Sequence, residues 1–129
     1  MKYVMSLENN PDSIYTIAQT VKTLNLNEKT KLKTTIILTE ILENVNHYSK
    51  TKSVTISIRN KVSGTTILVI FRSKEFELFI DKIENTKIYF SNADKRYRGL
   101  GVIMYHNLSS SVLYKYSNEC VKILIHVKD

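Results

Sequence analysis

The apolar pattern of this chain changes period near residue 52, and that change constrains the fold more than any other feature. Before it, Ile14, Ile17, Ala18, Val21 and Leu24 recur at helical steps. Leu38, Ile41, Leu42, Val45 and Tyr48 do the same further on. Such spacing lines up one apolar stripe on each of two helices. After it, Val54, Ile56 and Ile58 alternate with polar residues, the period of a strand with one buried face. A chain with two striped helices ahead of alternating strands buries both patterns by laying helix against sheet.

Local signals place the boundaries. Tyr3, Met5 and Leu7 alternate weakly with Val4 and Ser6 and suit an edge strand. In "NNPDS", Asn10 suits an N-cap, Pro11 the first helical position, and Asp12 the positive helix end. Asn27 in "NLNEKT" caps a second helix from Glu28 to about Tyr48. "NKVSG" turns the chain, and "TTILVIF" continues as a second, more buried strand. "EFELFIDKI" reads as a short helix, "TKIYF" as a short strand and "SNADKRYR" as an exposed loop. A third helix is expected from Gly101 to about Ser110, and "VLYKY", "SNE" and "VKILIHV" close the chain as a hairpin. The expected class is α+β: a two-layer sandwich over residues 1–129, with helices on one face of a mixed, mostly antiparallel sheet.

The chain has 129 residues, enough for one substantial core, and its 43% hydrophobic content is ordinary for a soluble domain. No run approaches the roughly 18 apolar residues of a membrane span. "MKYVMSLENN" turns polar too soon for a signal peptide. The single cysteine, Cys120, precludes an internal disulfide and fits a reducing cytoplasm. Its place in an alternating apolar run suggests a buried small hydrophobe. Three scattered histidines and one cysteine do not make a zinc site. A net charge of +7 suits an anionic partner, although lysine-rich composition accounts for much of it. The positive residues are dispersed and no nucleic-acid motif is present, which disfavours nucleic acid as the partner.

The second helix carries an unusual polar edge. In "TEILENVNHY", Glu40, Glu43, Asn44 and His47 follow at steps of three and four. A wet helix face explains such a stripe in most proteins. Asn44 and Asn46, however, are poor helix formers set away from any cap. A carboxylate and an amide one turn apart could instead face a cavity. Glu40 would then take a proton from water or a hydroxyl, and the Asn44 amide oxygen would suit Mg²⁺, which takes oxygen donors. The chain's three glycines are concentrated: Gly64 in the first hairpin, then Gly99 and Gly101 flanking Leu100 in "RGLGVIMYHN". Paired glycines at a helix start let the backbone approach an anion.

"TEILENVNHY" resembles the N-box of the GHKL ATPases, the gyrase and histidine-kinase superfamily with the Bergerat fold. The form is closest to that of the anti-sigma-factor serine/threonine kinases. "RGLG", ahead of a closing hairpin, resembles the GLG box of the same family. The two boxes stand in the family order, joined by a strand hairpin. The resemblance implies Glu40 as catalytic base and Asn44 as Mg²⁺ ligand. It implies phosphates held by Gly99, Leu100 and Gly101 with Arg96 and Arg98, and His47 beside the nucleotide, at an interval one residue shorter than the family's. It further implies ATP and Mg²⁺ as cofactors, a sigma factor or an anti-sigma antagonist as partner, and allows a homodimer. One element departs from the family: Asp-x-Gly-x-Gly, whose Asp binds adenine, is missing. Ser73 stands near the expected Asp, followed by Lys74, Phe76 and Leu78. A serine hydroxyl lacks the charge and geometry of a carboxylate. Two readings stay open, an active ATP-dependent kinase and a degenerate protein-interaction module of the same fold.

Overall fold

A computed structural model of the chain describes residues 1–74, 89–91, 96–98 and 107–127. It is an α+β fold with a five-stranded sheet and two long helices. The elements run β1 (Lys2–Glu8), α1 (Asp12–Thr23), α2 (Glu28–Tyr48), β2 (Ser53–Lys61), β3 (Gly64–Arg72), β4 (Tyr89–Ser91), β5 (Arg96–Arg98), β6 (Ser111–Ser117) and β7 (Cys120–Val127). The main sheet has the order β1-β2-β3-β7-β6. All its pairings are antiparallel, so the expected mixed character is not found among the described strands. Tight hairpins make the β2–β3 and β6–β7 pairings antiparallel.

One face of the sheet carries the core. Val54, Ile56 and Ile58 of β2, Ile67, Val69 and Phe71 of β3, and Val121, Ile123, Ile125 and Val127 of β7 are buried. The register sets Ile56 opposite Val69 and Val69 opposite Ile123, so these side chains share one face. They form a single cluster with Ile17 and Val21 of α1 and Ile37, Leu38, Ile41, Leu42 and Val45 of α2. Both helices therefore lie on that face. Each fully buried aliphatic side chain contributes about 1.5–3 kcal/mol relative to exposure. The opposite face carries Val4, Leu124 and Leu113, all exposed.

The helix boundaries follow the sequence signals. Asn10 Oδ1 accepts a hydrogen bond from Ser13 N at 3.1 Å, and Pro11 already has helical dihedrals. Asn27 Oδ1 accepts from Thr30 N at 2.8 Å. Lys31 Nζ donates to Lys22 O at 2.9 Å, and Asn46 Nδ2 donates to Asn10 O at 3.4 Å. The end of α1 thus meets the start of α2, and its start meets the end of α2, as in an antiparallel helical hairpin. No helix among the described residues is long and apolar enough to cross a membrane.

The region expected as the exposed loop "SNADKRYR" is corrected in part. Arg96–Arg98 is a strand pairing antiparallel with Tyr89–Ser91, with Phe90 in register with Tyr97. Tyr and Phe favour extended backbone, and runs of three residues are too short to show a period. The expected short helix in "EFELFIDKI" lies outside the described residues. So does the expected third helix, apart from Asn107 and Leu108, which are helical, and Ser109 and Ser110, which are not.

Gly64 opens β3 with φ of +128°, and an added Cβ would lie 2.6 Å from the Val127 carbonyl oxygen. No L-residue relieves both the dihedral and the backbone contact. Gly64→Ala should destabilise the fold by about 1–3 kcal/mol. Val62→Ala, in the adjacent exposed turn, should stay within about 0.5 kcal/mol. Urea midpoints of the two variants check this.

Candidate functional site

α2 is more enclosed than a helix with one wet face. Leu32 and His47 are exposed, while all residues from Lys33 to Asn46 are buried or half-buried. Glu40, Glu43 and Asn44 are half-buried. Helical geometry sets Glu40 and Asn44 one turn apart, with Cβ atoms about 5–6 Å from each other. The sequence expectation of one shared edge therefore holds for this pair and for Glu43, with His47 at the exposed end.

The two asparagines that depart from helix propensity have different fates. Asn46 donates across the helical hairpin to the Asn10 carbonyl, which is a structural role. Asn44 has no such role: its Nδ2 is buried without a hydrogen-bond partner. A buried amide nitrogen left unpaired costs about 1–3 kcal/mol, so a fold retains one where something else compensates. Rotation of the amide by half a turn exchanges Nδ2 and Oδ1, so either a donor or an acceptor can occupy this buried position. Asn9 Oδ1 and Thr34 Oγ1 are also buried without partners, but neither belongs to the polar edge.

Ser73 is buried directly after β3, where its backbone N–H donates to the Glu119 carbonyl at 2.8 Å. Arg96 and Arg98 form the ends of β5. Gly99, Leu100 and Gly101 lie outside the described residues. Among the described residues no group of three or more His, Cys, Asp or Glu side chains forms a metal site. A cation beside Asn44 would rest on one or two protein oxygens and the oxygens of its ligand, an arrangement that suits Mg²⁺.

Sequence reasoning missed a cavity of about 740 Å³ where β2 starts, β3 ends and β7 starts. Lys50, Lys52, Arg72 and Lys74 line it, with Thr55, Ile70, Ser73, Glu119 and Cys120. Of the sequence-predicted site residues that are described, only Ser73 is in this lining. Cys120, expected to be buried, is only half-buried, because its register with Arg72 puts it on the face opposite the core residue Val121. The clue available in the sequence was the basic run around "SKTKS", which is separated in the chain from its partners at 72–74 and 119–120.

Compared with known proteins, the chain matches no family model and no curated protein.

Proposed function

We propose that this protein is an ATP-binding regulator of the GHKL type that controls a partner protein. The reading is carried by one observation: Glu40 and Asn44 share a half-buried edge of α2, and the Asn44 amide nitrogen is buried with no partner. The element order also supports a Bergerat-like fold. A strand and two helices precede the β2–β3 hairpin, and a second hairpin closes the sheet.

In this reading α2 presents Glu40 as a base that takes a proton from an attacking water or a Ser or Thr hydroxyl. Asn44 holds Mg²⁺, and the ion supplies charge neutralisation for the triphosphate. Gly99, Leu100 and Gly101, with Arg96 and Arg98, hold the phosphates, and His47 borders the nucleotide. The protein acts in the cytoplasm, and the partner is a sigma factor or an anti-sigma antagonist. A homodimer is compatible with the reading.

The base end of the site is the weak point. Ser73 stands directly after β3, where the family carries the adenine-binding Asp. The degenerate module therefore remains the second reading, favoured by that substitution.

Binding of a fluorescent ATP analogue with and without Mg²⁺ tests the proposal. Gly99→Ala combined with Gly101→Ala should weaken binding by about tenfold or more, since removing the close backbone approach costs on the order of one charge-assisted contact. Unchanged affinity in a folded variant would move the phosphate site elsewhere. Asn44→Ala should abolish the Mg²⁺ dependence of binding. Competition with ATP and GTP should reveal less than about tenfold discrimination, because a site lacking a base-pairing carboxylate leaves no buried polar group stranded by the wrong base. Strong ATP selectivity would favour the active kinase, and no binding of either nucleotide the interaction module.

A further inference from the structure

We propose that the cavity at the β2, β3 and β7 ends is a binding site for a small molecule carrying two or more phosphate groups. Among the described residues it shares only Ser73 with the nucleotide site proposed above, and it does not rest on that reading. Thr55, Ile70 and Cys120 line it, and their register places them on the sheet face away from the core. The Glu40 and Asn44 edge of α2 belongs to the helix layer, and neither residue lines the cavity.

Charge defines the ligand class. Among the described residues Lys50, Lys52, Arg72 and Lys74 face one carboxylate, Glu119. Among the described residues none of the four cations forms an ion pair. Four like charges around one concavity repel each other, and an anion reverses that repulsion. Arg72 offers a planar fork suited to phosphate, and the lysines are point charges around it.

Size and composition favour a small molecule over a flat macromolecular surface. A volume near 740 Å³ falls in the range of ligand pockets, roughly 300–1,000 Å³. Thr51, Ser53 and Thr55 add hydroxyl-bearing side chains to the lining, while Ile70 and Phe71 add an apolar part.

The rim is also held in place before any ligand arrives. Asn9 Nδ2 donates to the Thr51 carbonyl at 2.9 Å, and Asn9 N donates to the Lys52 carbonyl at 3.0 Å. Thr51 Oγ1 donates to the Ser53 carbonyl at 3.0 Å. On the other side Ser73 N is bonded to the Glu119 carbonyl. The two cationic segments are therefore fixed to the sheet from opposite sides, which lowers the ordering cost of binding.

Cys120, the only cysteine of the chain, lines the cavity and reports on its occupancy. In low salt, pyrophosphate and ADP should each bind the full-length protein and slow alkylation of Cys120. Lys52→Gln combined with Arg72→Gln should weaken pyrophosphate by about tenfold or more, the scale of two lost charge-assisted contacts at an open rim. Both residues are exposed, and circular dichroism verifies that the double variant folds. Should it not fold, Lys50→Gln with Lys74→Gln makes the same test. Asn44→Ala should retain the protection of Cys120, which separates this cavity from the nucleotide site. The proposal is overturned if pyrophosphate leaves the alkylation rate unchanged, or if the charge variants bind it as tightly as the parent. Loss of protection in Asn44→Ala would make the two sites one and also overturn it. Protection by poly-aspartate but not by pyrophosphate or ADP would assign the cavity to an acidic polypeptide instead.

Discussion

The structure depends on the pairing of β3 with β7, the two strands that join its local hairpins into one sheet. Their facing residues Ile67 and Ile125, and Val69 and Ile123, are almost fully buried. This row is the floor on which α2 sits through Ile37, Leu38, Ile41, Leu42 and Val45. Without it α2 would have no apolar surface to cover, and helices of this composition gain most of their stability from such packing. The positions of Glu40 and Asn44 follow directly. They flank the buried stripe, so the core fixes the direction in which the polar edge points.

The contrast between Asn44 and Asn46 shows how a structure sorts residues that look alike in sequence. Both interrupt a helix with a residue of low propensity. Asn46 is accounted for by its hydrogen bond to Asn10, which ties the two helices together. Asn44 remains without a structural explanation of that kind. Exposure does not separate them, since both are half-buried; the hydrogen-bond partner does.

What the sequence made legible was whatever repeats over enough residues to establish a period. α2 was readable over its full length, since twenty-one residues cover several turns and Asn27 marks the start. The β2–β3 and β6–β7 hairpins were readable from alternation and from turn residues. Strand β4 overlaps the short strand expected in "TKIYF", whereas β5, at three residues, offers too little pattern, and the basic composition around it suggested a loop. Cys120 was misjudged because an apolar run does not reveal its own phase at its first residue. Val121 points to the core, so Cys120 cannot. The polar edge of α2 was legible as a spacing, while the orphaned amide was not, since it depends on what surrounds the helix. The cationic cavity was illegible for a related reason: three segments far apart in the chain build it.

The same β3–β7 pairing has a consequence for how this chain can fold and diversify. Its partners, Arg72 and Cys120 at one end and Thr65 and Val127 at the other, are remote in sequence, whereas the hairpins on either side close over short turns. Long-range contacts of this kind, here and in the β1–β2 pairing, raise contact order and slow sheet assembly relative to the local hairpins. Loop-closure entropy grows only logarithmically, by about 0.6 kcal/mol for each doubling of the connecting length. The length of the connection between Arg72 and Ser111 is therefore a minor term in the cost of closing this pairing. Much of the ligand chemistry proposed for this chain falls in that connection. A fold built this way can vary the length of that connection while the β3–β7 register stays the same.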